Sequence, residues 1–118
     1  MKVVRKGDSH ETLATAPIFT GTVHTRPLID AATSPAVSVT LVRFTAGGRN
    51  RRHTHTADQI LYITEGEGVV ANDAAENRVA AGDIVHVPAG EVHWHGAAPG
   101  RDMAHLSILP PCRTEVVD

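Results

Sequence analysis

The sequence predicts an all-β fold, and three observations carry that expectation. Val, Ile and Thr make up 32 of the 118 residues, against six Leu. A branched Cβ restricts χ1 in a helix but packs well on a pleated surface. Ten Gly and seven Pro recur at short intervals and cut the chain into strand-sized pieces. No segment of useful length carries the i, i+3, i+4 apolar repeat of an amphipathic helix.

In chain order, residues 18–24 form a short Thr/Val segment after Pro17. Residues 37–44 are the longest β-type run and stop at Ala46-Gly47-Gly48. Residues 59–64 end at Glu65-Gly66-Glu67-Gly68, which reads as a tight turn into residues 69–71. Residues 78–80 lead to Gly82, and residues 83–87 run into Pro88-Ala89-Gly90. That tripeptide signals a type I turn, with Pro at its second position and Gly at its fourth. Residues 92–97 and 103–109 complete the set before Pro110-Pro111, and residues 112–118 read as an exposed tail. Roughly seven or eight strands at about 8–12-residue spacing are the pattern of a sandwich or barrel.

Composition narrows the function. A length of 118 residues with 42% hydrophobic content suits one domain over residues 1–118, with its barrel core spanning roughly 18–110. The net charge of −2 gives no electrostatic reason to expect a nucleic-acid partner. No apolar stretch approaches the ~18 residues of a membrane span, so a soluble, cytoplasmic protein is expected. The lone Cys112 excludes an intramolecular disulfide and a cysteine-based zinc site. With only four aromatic residues the core must be aliphatic, whereas histidine is plentiful at eight residues.

Two His-x-His pairs stand out, His53/His55 and His93/His95. Residues i and i+2 of a strand point to one face, so each pair can address a single centre. Gln59, Leu61 and Ile63 share one face of their segment, and His93, His95 and Ala97 share one face of theirs. Three imidazoles from two strands plus one oxygen donor make a first-row metal site of ordinary composition.

These residues resemble the cupin family. Gly47, His53-Thr54-His55, Gln59 and Gly66 follow its first motif, and Gly82, Pro88-Ala89-Gly90 and His93 follow its second. The sequence departs from the family at Gln59, where Glu is usual, and at Ala97, where Asn is usual. The resemblance implies a single cupin barrel of the jelly-roll type. It further implies one divalent metal per chain, held by His53, His55, Gln59 and His93. Trp94-His95-Gly96-Ala97 with Met103-Ala104-His105-Leu106 is similar to small bacterial cupins that include manganese-dependent hydroxynitrile lyases. That likeness implies manganese first, with iron, nickel, cobalt or zinc as other occupants, and places His95 and His105 in the pocket as catalytic imidazoles.

Strand parity supplies the rest of the bowl. Thr40, Val42 and Phe44 share a face opposite Arg43; Met103, His105 and Ser107 share another; Leu61 lies on the face of Gln59. Such a mostly apolar bowl suits a small neutral molecule bearing one hydroxyl or carbonyl. Three neutral His and a Gln leave the full +2 on the ion, where Glu would leave +1, and this favours Lewis-acid over redox chemistry. The leading expectation is cyanohydrin cleavage with His105 as base and His95 as its hydrogen-bonding partner. The alternatives are an iron dioxygenase like the quercetinase cupins and a non-catalytic metal- or ligand-binding module. Trp94, on the opposite face from His93, suits packing or a subunit contact, and Arg49, Arg51 and Arg52 read as a solvated loop. A homodimer or homotetramer is expected, because residues 18–24 would otherwise leave a bare sheet edge.

Overall fold

The valine- and threonine-rich segments form strands largely where their composition puts them. The computed structural model describes residues 1–118 and contains no helix. Its strands are β1 (Thr12–Leu13), β2 (Phe19–Thr20), β3 (Val23–Ile29), β4 (Ser38–Phe44), β5 (Arg49–Asn50) and β6 (His53–His55). They continue as β7 (Gln59–Asn72), β8 (Glu76–Ala80), β9 (Ile84–Val87), β10 (His93–Ala97), β11 (Met103–Leu109) and β12 (Thr114–Val116). All pairings are antiparallel. The order β1-β3-β4-β11-β7-β10-β5-β2 curls into the jelly-roll barrel expected of the sequence.

Strand β7 joins the two sheets. Its first half pairs with β9 and β11, and its second half with β8 and β10. The turn expected at residues 65–68 is therefore absent, and the chain bends without reversing. Gly66 makes this possible with a φ of 74°, and a Cβ there would collide with the backbone of Asp102. Beside it the β11 register slips between Ala104 and His105, leaving Thr64 as the extra residue of a bulge that re-aims the strand.

Three more expectations change. Residues 18–24 are not one strand, because the chain bends at Gly21-Thr22 and delivers β2 and β3 to different sheets. The turn after β9 closes from Glu91 N to Pro88 O, one residue later than expected. This puts Gly90, at φ 83°, in the third position that a type II turn reserves for glycine. The expected free tail forms β12, paired residue by residue with β6.

Period-2 alternation decides what is buried. Val23, Phe44, Leu61, Ile63 and Met103 are wholly buried and form the aliphatic core with Val42, Val70, Val79 and Ala97. Arg43 points outward and pairs with Glu11 at 2.8 Å and Glu65 at 2.6 Å. No helix of the structure is long and apolar enough to cross a membrane.

Candidate metal centre

Strand pairing brings the histidines together. His93 on β10 lies directly opposite His53 on β6, and alternation turns His55 to the same side. The candidate ligand atoms of His53, His55 and His93 all lie within 4.8 Å of one another, with all three side chains buried. Gln59, the first residue of β7, reaches the same centre with Oε1 3.1 Å from His93 Nε2.

The second nitrogen of each imidazole is tied down behind the centre. His53 Nδ1–H donates to the Arg51 carbonyl at 2.6 Å, and His93 Nδ1–H to the Glu91 carbonyl at 2.9 Å. His55 Nδ1 meets the Thr114 hydroxyl at 2.8 Å. With Nδ1 protonated, each Nε2 carries a lone pair, the tautomer a metal requires.

Two observations test whether these residues suit a cation. His55 Nε2 is buried and has no hydrogen-bond partner, a costly state for a polar atom unless something else occupies the centre. Gln59 Nε2 donates to Ser107 Oγ at 2.9 Å, which leaves Oε1 facing His93 Nε2, acceptor against acceptor. A divalent ion would convert both features into bonds. Burial also pushes His53 and His55 down to about 4 and lowers His93, so the imidazoles are neutral and able to ligate.

Behind this centre lies a second imidazole pair. His105 Nε2 is 2.9 Å from His95 Nδ1, and both rings are almost wholly buried. Burial lowers His95 well below the usual imidazole range and brings His105 to about 4. His105 Nδ1 is buried and unpartnered. Asn50 clamps His95, accepting from its backbone N–H at 2.8 Å. The Asn50 amide nitrogen lies 3.1 and 3.3 Å from the two ring nitrogens, nearly equidistant, hence over the ring face and not along a lone pair.

These groups open into a cavity of about 310 Å³, walled by Thr40, Val42, Ser107, His53, His55, Gln59, His95 and His105. Ile18, Phe19 and Leu109 add apolar surface, Thr25 and Thr114 add hydroxyls, and no Asp, Glu, Lys or Arg lines it. Phe44, Leu61 and Met103 do not form its wall, as strand parity had suggested. They are wholly buried in the core, where the Phe44 ring packs 5.4 Å from His105 and 6.0 Å from His95. Parity gives the face of a residue and not its depth along the barrel.

Sequence reasoning missed Asn50 and Thr114. Asn50 sits in the stretch read as a solvated loop, yet β5 pairs with β10 and buries it. Arg49 beside it is half-buried, its guanidinium 3.5 Å from the Trp94 ring centroid. The one available signal was the single uncharged side chain in Arg49-Asn50-Arg51-Arg52.

Residues 40–109 match the family model described as a cupin domain. The chain is 37% identical to an (R)-mandelonitrile lyase of Granulicella tundricola, covering 100% of this chain and 91% of that protein. It is 30% identical to an acireductone dioxygenase of Gluconobacter oxydans over 48% of this chain and 32% of that protein. A cupin-like protein from Thermotoga maritima superposes with a TM-score of 0.85 at 28% identity, covering 96% of this chain and 89% of the other.

Proposed function

The chain belongs to the cupin family, and we propose that it is a metal-dependent hydroxynitrile lyase that splits a cyanohydrin into an aldehyde and cyanide. One observation carries the reading. Two neutral imidazoles that the ligand set does not use, His95 and His105, line an uncharged cavity beside the three-histidine centre. Likeness to a mandelonitrile lyase along the whole chain supports it.

A divalent ion on His53, His55, Gln59 and His93, manganese in this proposal, would supply Lewis acidity for a substrate oxygen. The chain's own residues do the rest. His105 accepts the hydroxyl proton as the carbonyl forms, and the electron pair of the breaking C–C bond leaves with cyanide. The proton then passes to cyanide and the imidazole returns to its neutral state. Burial, which lowers His105 to about 4, keeps the imidazole neutral and its lone pair free, makes it a weak base, and speeds its release of the proton. His95, clamped by Asn50, holds the His105 ring in place. Ile18, Phe19, Val42 and Leu109 receive the organic substituent, and no Lys or Arg lines the cavity to pair with a carboxylate or phosphate.

The partial match to acireductone dioxygenase favours oxygenase chemistry as the second reading. Manganese-loaded protein should release cyanide from mandelonitrile without consuming oxygen. Oxygen uptake with an acireductone or a flavonol, and no cyanide, would replace the lyase with the dioxygenase; neither activity would leave a binding module.

The reading includes a cytoplasmic homodimer. Across the outer sheet Ile84 pairs with Tyr62, Tyr62 with Leu106 and Leu106 with Leu41. Tyr62 and Ile84 are exposed, so this row offers an apolar face to a second copy. Sedimentation at micromolar concentration should give twice the 12.5 kDa chain mass.

A further inference from the structure

The histidines of the metal centre are anchored by unequal means. His53 and His93 each donate Nδ1–H to the main-chain carbonyl two residues earlier. A carbonyl can only accept, so these two tautomers are set whatever the neighbouring side chains are. His55 has no such carbonyl. Its Nδ1 meets a hydroxyl, Thr114 Oγ1 at 2.8 Å, brought from 59 positions away.

We propose that Thr114 is a positioning residue of the metal centre, its hydroxyl fixing the His55 ring and offering Nδ1–H an acceptor while Nε2 faces the ion. This rests on the metal-binding reading of the site. When Thr114 Oγ1 accepts from Nδ1–H, Nε2 keeps its lone pair, and Nε2 is the buried, unpartnered atom. Without that acceptor the Nδ1–H tautomer loses its partner in the fold, and the tautomer with Nε2–H must move its proton before it can coordinate.

The surrounding chain is built to hold the hydroxyl in place. Thr114 pairs with His55, Glu115 with Thr54 and Val116 with His53. Thr56 N donates to Arg113 O, Arg113 N to Thr56 Oγ1 and Val117 N to Arg52 O, each at 3.0 Å. Arg52 closes the end of the strand on Asp118 at 2.8 Å. Ser107 plays a similar part for Gln59, accepting from its amide nitrogen at 2.9 Å.

Thr114→Val removes the acceptor while keeping the branched shape that suits a strand, and Thr114→Ser restores a hydroxyl. The metal-free proteins are titrated with Mn²⁺ against a competing chelator, and the His55 tautomer is read from its ¹⁵N shifts. Loss of such an outer hydrogen bond typically weakens metal affinity by ~10–100-fold. The expected result is a loss of that size in Thr114→Val, a mixed tautomer at His55, an unchanged melting temperature and near-complete recovery in Thr114→Ser. Wild-type affinity and tautomer in a folded Thr114→Val, or a Thr114→Ser as weak as the valine variant, overturns the proposal. Should wild type take up no Mn²⁺ while the tautomer still follows residue 114, the metal reading falls and the positioning role stands.

Discussion

His53, His55 and His93 differ from His95 and His105 in the partner of the second nitrogen, although all five are buried on one side of the barrel. The first three turn Nδ1 outward to a carbonyl or hydroxyl and leave Nε2 for the shared centre. The other two bond to each other at 2.9 Å, and an asparagine holds the pair. In the proposed reading one residue type is thereby divided between holding an ion and moving a proton, and its hydrogen-bond partners make the division.

The strongest test of that division is His105→Ala. It should keep the bound metal and lose the ~10²–10⁴-fold that a general base contributes, while His95→Ala should cost less. Kinetics on both metal-loaded variants decide; a metal-free His105→Ala would merge the two groups, and the reverse ranking would make His95 the base.

Gln59→Glu acts on the ligand side alone. The added negative charge should hold or raise metal affinity and slow the lyase reaction, so metal content and rate should move in opposite directions. An unchanged rate would remove the reason for a neutral ligand.

Acid should strain both groups. His53, His55 and His105 sit at about 4 in the folded chain, against ~6.5 when unfolded. Between those values the unfolded state binds more protons, so stability of the metal-free protein rises with pH. It is fully present above about 6.5 and is lost as pH falls through about 4. Denaturant unfolding at a series of pH values across that window should show the slope, and a flat profile would contradict the burial argument.

The smallest effect is expected at Asn50. Asn50→Ala leaves the buried backbone N–H of His95 without an acceptor, a loss of about 1–3 kcal/mol, with metal affinity unchanged. Chemical denaturation and a metal titration check the two halves of that statement.

Much of this was legible in local sequence. Branched side chains marked the strands, and period-2 spacing put His53 with His55 and His93 with His95 on common faces. Depth was not legible: Thr40 and Phe44 share a face of β4, yet one lines the cavity and the other is wholly buried beneath the imidazoles. Nor were partners distant in the chain. Asn50 and His95 are 45 positions apart, and Thr114 and His55 are 59 apart. Residues 65–68 carried every mark of a turn, because a glycine that lets a strand change sheets looks the same in sequence as one that reverses it.

Strand β7 has a consequence for timing. Asn72, its last residue, pairs with His93, while Gln59, its first, has its side chain 3.1 Å from His93. Fourteen extended residues would reach roughly 45 Å, so the strand must curl around to bring both ends to one place. His53, His55, Gln59 and His93 therefore come together fully only once both ends of β7 have closed on β10, a long-range pairing of the kind that forms slowly. Metal uptake should act as a clock for the last closure, and in a refolding experiment it should lag behind the far-ultraviolet signal of the strands.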